Sequence, residues 1–351
     1  MTEVVESTNC DKWREILSHF DRVDVCHLPE YHTAYASRIS HASALLWFYQ
    51  DAQNKFAYPF LLAPVFLTGP DGQRKPTPYF DISGVYGFSG PLSTTNDDTF
   101  LEGAWKRFDI WCEARKAICE FVRFSIYSEN LEFAHHKCIV EPNRPISISK
   151  LPHSHEAYLS TMSSKTRNMI RRAWKNGLVA RSVELSTGLQ DFRSLYENTM
   201  RRNDASSFFS YDDRYYETLM RLPKDELILR GVFDGNRMVA AAIGLIRGKY
   251  GFYHLGASEQ TASRVGAGNL ALFDLAKGFI DLGVEFFNVG GGRTTDPNDP
   301  LFRFKKNNGT GVSQFFIGKR IIDEEGYKWV AKQWSNLYDS DKISNQLQFY
   351  R

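Results

Sequence analysis

The segment Ser163 to Gly177 concentrates positive charge in a pattern that suits phosphate binding. Extended to Arg181, it carries six basic residues and no acidic one. A serine at its start predicts an N-cap, and the free N–H groups at a helix start attract anions. Phosphates of tRNA, of a nucleotide sugar or of coenzyme A fit such a face, and a solvated surface helix is the alternative. The candidate residues for binding a phosphate-bearing donor substrate are Lys165, Arg167, Arg171 and Arg172.

A histidine in a predicted strand, Tyr250 to Ala257, is a candidate general base. His254 has the residue type whose ordinary pKa lies near neutrality, as proton transfer at pH 7 requires. Tyr253 precedes it, and since neighbouring strand residues point to opposite faces, only one of the two can face a cleft. Both are candidate catalytic residues, and a hydrogen-bonded structural role for His254 is the alternative.

A glycine-containing loop follows this strand and enters a predicted helix. Glycines let consecutive backbone N–H groups point at a phosphate, and the helix N-terminus adds its dipole. A single Gly-x-Gly is a weak signal. The candidate donor-binding residues of the loop are Arg264, Gly266, Gly268 and Asn269.

Other chemistries find little support in the sequence. Histidines at 135 and 136, and at 153 and 155, lack companion ligands at useful spacing, so we expect no metal site and no required cofactor. No G-x-S-x-G elbow or P-loop is present. The five cysteines are odd in number and form no C-x-x-C pair, which favours free thiols in a reducing cytoplasm.

Length and composition indicate a globular protein of two domains. A chain of 351 residues suits two domains of ~150–200 residues. A net charge of +2 argues against a wholesale nucleic-acid coat, although a local basic patch is compatible with it. The apolar runs are far shorter than the ~20 residues of a membrane span, and the N-terminus has no apolar stretch typical of a secretory signal.

Hydrophobic periodicity predicts a mixed α/β (α+β) fold in two tandem domains. Turn residues at 141–145 place the domain change near residue 150, giving domains 1–150 and 151–351 with the last helix packing back on the first domain. In the second domain, Asp234-Gly235-Asn236 predicts a hairpin, and Ala267 to Leu282 a long helix closed by Gly283. Val284 to Val289 is a predicted strand that runs into three glycines.

The chain resembles the Fem family of aminoacyltransferases, whose two domains are similar to GNAT acyltransferases. Four segments carry the resemblance: the proline-started helix at His27 to His32, the glycine-rich stretch Tyr79 to Leu92, the basic helix Ser163 to Gly177, and the ordered series Tyr253 to Gly309. The series runs strand, loop and helix, a strand ending in Gly-Gly, then Phe-Lys near Asn and Gly. The resemblance implies two GNAT-like domains, each a mostly antiparallel mixed sheet flanked by helices.

The resemblance also implies site residues. Lys305 is similar to the Fem lysine that balances the charge of the donor phosphate or of the transition state, and Lys306 takes that role if the register differs by one. The loop at Arg264 to Gly268 resembles the GNAT pyrophosphate loop, but Ser263 stands at its first position and Arg264 one place late. In the first domain the implied acceptor-binding residues are Asp81, Tyr86 and Gly87.

Three functions follow as expectations. In the first, aminoacyl-tRNA supplies an amino acid to an amine of a cell-envelope precursor, a glycan or a small peptide. In the second, acyl-CoA supplies an acyl group to an amino sugar. In the third, the chain is a non-catalytic binding module, because a fold alone does not settle function. The basic helix favours the first and the glycine loop the second.

Overall fold

The computed structural model describes residues 1–134, 136–338 and 346–351. It divides into two compact units, Met1–Pro142 with Phe315–Arg351 (unit 1) and Asn143–Gln314 (unit 2). The boundary that we predicted near residue 150 lies at the end of a strand of unit 2. The described residues beyond Phe315 group with unit 1, where a strand and a helix of this segment pack.

Strands and helices alternate along both units. The strands are β1 (Thr2–Glu6), β2 (Ser43–Gln50), β3 (Lys55–Thr68), β4 (Arg74–Ser83), β5 (Leu92–Ser93), β6 (Ala117–Arg123), β7 (Ile139–Lys150), β8 (Val179–Val183), β9 (Leu227–Asp234), β10 (Arg237–Arg247), β11 (Tyr250–Ser258), β12 (Phe286–Gly291) and β13 (Gly311–Ile321). The α-helices are α1 (Cys10–Leu17), α2 (Pro29–Ala36), α3 (Asp98–Ala114), α4 (His155–Thr161), α5 (Ser164–Lys175), α6 (Leu185–Arg202), α7 (Asp213–Leu219), α8 (Gln260–Arg264), α9 (Ala267–Asp281), α10 (Pro300–Asn308) and α11 (Glu324–Leu337). Short 3-10 turns lie at Val25–His27 and Ser207–Phe209.

The sheet of unit 1 is mostly antiparallel with one parallel step. Its order is β1-β2-β3-β4-β6-β13, and β5 pairs with the outer part of β3. The pair β4–β6 is parallel, and α3 makes the crossover between the two strands. Aromatic side chains fill the core under α3, where Trp47, Phe60 and Phe108 are almost completely buried.

The sheet of unit 2 repeats this plan. Its order is β8-β9-β10-β11-β12-β7, and only β11–β12 is parallel. The crossover between these two strands is α8 and α9. The predicted hairpin is confirmed, because β9 ends at Asp234, β10 begins at Arg237, and Gly235 adopts φ +58° in the turn.

The two repeats confirm the predicted fold class of mixed α and β with tandem, mostly antiparallel sheets. The core of unit 2 lies between the sheet and α9, where Leu275 and Phe279 are fully buried. Small residues on β10, such as Gly244, let α9 approach closely, because a Cβ there would lie 2.6 Å from Leu275 and Phe279 atoms. Among the described residues, no helix has both the length and the apolarity of a membrane-crossing segment.

Candidate active site

Strands β11 and β12 of unit 2 part from each other halfway along their length. They pair in parallel at Tyr250–Phe286, Gly251–Phe287 and Phe252–Asn288. Both strands continue, β11 to Ser258 and β12 to Gly291, without a further pair between them among the described residues. Diverging strands expose backbone N–H and C=O groups, which can bind an extended ligand arm as a sheet edge binds a peptide.

Irregularities in both strands accompany the divergence. The register of β11 against β10 shifts by one residue, so that His254 is inserted between the paired positions of Tyr253 and Leu255. Val289 is inserted in the same way in β12 against β7, and Gly290 follows with φ +89°. Such bulges bend a strand and redirect its side chains, and they are frequent beside active sites.

Lys305 reaches the gap from α10. This helix begins at Pro300, and the side chain of the preceding residue, Asp299, caps it. The Lys305 Nζ lies 5.3 Å from the centroid of the Tyr253 ring. A Cβ atom at Gly290 would lie 2.9 Å from the same Nζ, so the glycine leaves room for the lysine between the strands.

Burial lowers the pKa of Lys305 to about 8, against a partial opposing effect of Asp299. No carboxylate of the described residues forms an ion pair with Lys305. For Asp299, burial alone would raise the pKa, but backbone N–H donors that include Phe302, Thr294 and Arg293 hold it below its usual value. Asp299 is therefore an anionic cap that fixes the start of α10 rather than a partner for Lys305. Lys306 is exposed, and the structure thereby distinguishes the two adjacent lysines.

Tyr253 and His254 have different surroundings. Tyr253 packs against the core under α9, and burial raises the pKa of its hydroxyl. His254 is buried, and its Nε2 lies 2.5 Å from the hydroxyl oxygen of Tyr215 on α7. Tyr253 is thus the one that contacts Lys305, whereas His254 belongs to an aromatic cluster with Tyr215 and Phe252. The catalytic roles of all three candidates remain predictions.

The loop before α9 is shaped by helix packing. Gly266 adopts φ +99°, and a Cβ there would lie 2.2 Å from the backbone oxygen of Met169 on α5. Gly268 has ordinary space, with the nearest atom to its would-be Cβ at 3.5 Å, in the Phe304 ring. Asn269 donates from Nδ2 to Asn308 Oδ1 at 3.2 Å, and Arg264 is exposed. No side chain of the described residues caps the N-terminus of α9, so its first N–H groups can donate hydrogen bonds to an anion.

Helix α5 confirms the predicted basic segment as a helix with a serine cap. Ser163 accepts from the N–H of Thr166 at 3.2 Å. The Thr166 hydroxyl donates to the backbone oxygen of Asn307 at 2.6 Å, which fixes α5 against the helix that carries Lys305. Arg167 differs from the other basic residues, because its guanidinium donates to the carbonyl oxygens of Ser160 and Met162. The exposed basic side chains of α5 are Lys165, Arg171, Arg172 and Lys175.

In unit 1 the predicted acceptor residue Asp81 is buried and already engaged. Its side chain is 1% exposed and accepts from the Tyr350 hydroxyl at 2.8 Å and from the Arg351 guanidinium. Burial raises the pKa of Asp81 although Arg351 opposes the change. The ion pair with Arg351 gives the carboxylate a structural role, and acceptor binding by Asp81 stays a prediction.

Tyr86 and Gly87 lie in the glycine-rich turn of unit 1. The Tyr86 carbonyl accepts from the Tyr31 hydroxyl at 2.7 Å, and the Arg123 guanidinium lies 6.0 Å from the Tyr86 ring centroid. Gly87 has φ +126°, and a Cβ there would lie 2.7 Å from Cys26 Sγ. Close packing explains this glycine, while acceptor binding by Tyr86 stays a prediction.

Sequence reasoning missed three residues around the gap. Asp299 followed by Pro300 is a helix-start signal and would have placed Lys305 on a helix. Asn288 is a polar residue inside the apolar run Phe286 to Val289, which is the available signal for a special role. Tyr215 has no such signal, because its pairing with His254 depends on tertiary packing.

A metal centre was not expected. Within the described ranges, no group of three or more His, Cys, Asp or Glu side chains is placed to hold a metal ion. His155 pairs with Asp281 across 2.6 Å at the surface of unit 2. His135 lies outside the described residues.

Comparisons with known proteins agree with this geometry. Residues 164–306 match the family described as the acetyltransferase (GNAT) domain, and this range lies inside unit 2. The fold is similar to the crystal structure of FemX, with a TM-score of 0.70 and 14% identity over 94% of this chain and 99% of that chain. It is also similar to L-PGS from Bacillus licheniformis, with a TM-score of 0.57 and 14% identity over 91% and 94%. None of the curated proteins matches the sequence.

Proposed function

We propose that this chain, an acyltransferase whose residues 164–306 form a GNAT domain, transfers an aminoacyl group from aminoacyl-tRNA to an amine. The acceptor amine belongs to a cell-envelope precursor, a glycan or a small peptide. Aminoacyl-tRNA is a cytoplasmic donor, so the reaction takes place there. The likeness to FemX supports the fold on which this rests, and the residues of unit 2 supply the chemistry.

One contact carries the proposal, the hydrogen bond from Thr166 to the Asn307 carbonyl. It fixes the basic helix α5 beside α10, the helix that carries Lys305. No carboxylate of the described residues forms an ion pair with the four exposed basic side chains of α5. Unpaired surface cations are available to neutralise phosphates of a polynucleotide, with the release of its counterions.

The reaction proceeds in the gap between β11 and β12. The acceptor nitrogen attacks the ester carbonyl carbon, the new C–N bond forms, and the C–O bond to the terminal ribose breaks. In this reaction the Lys305 ammonium stabilises negative charge on the departing oxygen and supplies its proton. Such electrostatic stabilisation in a partly dehydrated site is a large contribution to acyl transfer. His254, held by Tyr215, is the candidate acceptor for the proton of the amine.

A second candidate function is favoured by the N-terminus of α9. Its uncapped N–H groups, with Arg264 exposed beside them, suit the pyrophosphate of an acyl-CoA donor. The acceptor is then an amino sugar. Against this reading, the left-handed backbone at Gly266 and the close approach of Met169 already explain the glycine.

Binding measurements distinguish the two donors. We expect the purified protein to bind a bulk aminoacyl-tRNA pool at low salt and to lose affinity steeply as salt rises, with no affinity for acetyl-CoA. Steep salt dependence reports contacts to the phosphate backbone. Saturable binding of acetyl-CoA alone assigns the acyl-CoA reaction instead.

A pair of matched double variants locates the binding surface. Replacing Arg171 and Arg172 by alanine removes two charges from α5, and we expect the slope of log Kd against log salt to fall by about 1 to 2. Replacing Arg221 and Lys224 removes two exposed charges of unit 2 elsewhere and serves as the control. Equal losses in both variants would contradict a role for α5.

A further inference from the structure

Asn288 occupies the last paired position before β11 and β12 part. Its side chain is 2% exposed, and its Oδ1 has no hydrogen-bond partner among the residues that the structure describes. A buried carbonyl oxygen without a partner is unfavourable by about 1–3 kcal/mol, so such groups are rare and call for a reason. Proximity to the gap points to a ligand as that reason.

The face of the sheet on which Asn288 lies follows from its neighbours. Phe287 and Val289 belong to the core under α9, so Asn288 between them points to the opposite face. Phe252 pairs with it on β11, and the Phe252 ring lies 5.9 Å from the ring of His254. Asn288 therefore lies on the same face of the sheet as Phe252, and an aromatic ring there also attracts a cationic amino group.

Lys305 lies toward the other face. Gly290 faces the Lys305 Nζ and pairs with Ser147 on β7. The Ser147 hydroxyl donates to the backbone oxygen of Lys305 at 3.0 Å. Asn288 pairs with Ile148 on the same strand. The bulge at Val289 lies between the Asn288–Ile148 pair and the Gly290–Ser147 pair. A ligand group that passes between the strands meets Lys305 on one face and Asn288 on the other. Positions 288 and 290 are ~7 Å apart along a regular strand, so one short ligand arm can approach both.

We propose that Asn288 recognises the free α-amino group of the aminoacyl donor through its Oδ1. This inference rests on the proposed function, in which tRNA binds on the surface of α5 and α10. The amino acid is then the part of the donor that enters the gap, and its α-amino group is the polar group that all amino acids share. Asn288 positions the donor and distinguishes an aminoacyl group from a simple acyl group, since a site built to bind an N–H discriminates against ligands that lack it.

The test measures binding of three tRNA pools to the whole protein. The pools are aminoacyl-tRNA, the same pool after N-acetylation, and deacylated tRNA. For the unchanged protein we expect the free-amino pool to bind about tenfold more tightly than the acetylated pool, the effect of about one hydrogen bond. Asn288→Leu should abolish this preference and leave binding of deacylated tRNA unchanged. Asn288→Asp, which keeps an acceptor oxygen, should retain the preference.

A second measurement separates recognition from a structural role. Asn288→Leu replaces a buried, unsatisfied acceptor by an apolar side chain of similar size, so its Tm should equal or exceed that of the unchanged protein. A large fall in Tm, or a preference for the free amino group that survives in Asn288→Leu, overturns the inference while tRNA binding, and with it the proposed function, stands. Absence of salt-dependent tRNA binding in the unchanged protein overturns both.

Discussion

At the scale of single residues, environment separates side chains that look equivalent in the sequence. Lys305 and Lys306 are adjacent, yet only Lys305 lies over the Tyr253 ring with its pKa lowered to about 8. Asp81 and Asp299 are both carboxylates that accept several hydrogen bonds. Asp299 accepts them from backbone N–H groups, whereas Asp81 accepts them from the side chains of Tyr350 and Arg351. The consequences are measurable at each position.

The pH dependence of the reaction tests the charge of Lys305. If its ammonium stabilises the transition state, kcat/KM falls as pH rises through about 8, where the lysine loses its proton. Lys305→Arg should keep part of the activity and move this fall to higher pH, and Lys305→Met should lower kcat by about 100-fold or more. Steady-state rates from pH 6 to 10 provide the measurement. Lys306→Met is the matched control and should keep the profile; an activity that rises through pH 8 would instead make Lys305 a base.

The pH dependence of stability tests the burial of His32. This residue is completely buried in unit 1, its Nδ1 lies 3.1 Å from the Leu28 carbonyl oxygen, and burial lowers its pKa to about 3. The folded chain keeps His32 neutral, while the unfolded chain binds a proton below about 6.5. Stability is therefore lost as pH falls from about 6.5 toward 3, by about 1.4 kcal/mol per pH unit.

Urea unfolding at pH 7 and pH 5 checks this expectation. His32→Asn should reduce the difference in unfolding free energy between the two pH values by about 2 kcal/mol. His41 is exposed, and His41→Asn should leave that difference unchanged. The same difference in both variants would show that His32 does not remain neutral in the folded chain.

At the scale of elements, the site depends on how α5, α9 and α10 approach one another. Gly266 lets α5 contact the start of α9, and the Thr166–Asn307 hydrogen bond joins α5 to α10. The basic surface and Lys305 are consequently placed by the same three helices. A change at one of these contacts should affect both.

Alanine substitutions at Gly266 and Gly268 test which glycine at the start of α9 is required by close packing. Gly266→Ala meets the Met169 backbone oxygen at 2.2 Å and a left-handed backbone, so we expect a loss of about 2–3 kcal/mol in unfolding free energy. Gly268→Ala, with its nearest neighbour at 3.5 Å and a place in the first turn of α9, should be neutral or slightly stabilising. Thermal unfolding of both variants decides; equal stability would mean that α5 moves aside at no cost.

At the scale of the whole molecule, unit 1 combines two segments that are far apart in the sequence, Met1–Pro142 and Phe315–Arg351. Beyond Phe315, β13 pairs with β6, and the last residue forms an ion pair with Asp81 on β4. The aromatic side chains Phe349 and Tyr350 are buried in the same region. Phe349 and Tyr350 are therefore part of the hydrophobic core of unit 1.

Removing the partner of Asp81 should destabilise unit 1. Arg351→Met leaves a buried carboxylate without its cation, and we expect a loss of about 2 kcal/mol, less than for a fully buried pair because Arg351 is partly exposed. Adding Asp81→Asn to Arg351→Met should recover part of the loss. Chemical unfolding of the single and double variants gives the coupling free energy between the two residues. Additive losses of unfolding free energy would exclude the ion pair as the cause.

The sequence alone determined the class of the fold and several local elements. Hydrophobic periodicity and the residue types of turns and caps are local properties of the sequence. The 234–236 hairpin, the serine-capped basic helix and the helix closed by Gly283 were therefore predictable. The order of segments also indicated the resemblance to GNAT acyltransferases, and residues 164–306 match the acetyltransferase (GNAT) domain. Helix α10 was missed, although Asp299-Pro300 marks its start, because the segment carries no clear apolar period.

Tertiary structure alone decided which polar groups meet. Asp81 lies next to Arg351 through a separation of 270 residues, and the gap beside Asn288 exists because two strands with independent bulges diverge. Glycines in the sequence indicated that the backbone is closely approached at these positions. They did not indicate that the backbone of helix α5, rather than a phosphate, lies against Gly266. Such pairings depend on long-range packing, and the spacing of residues along one chain contains no direct information on it.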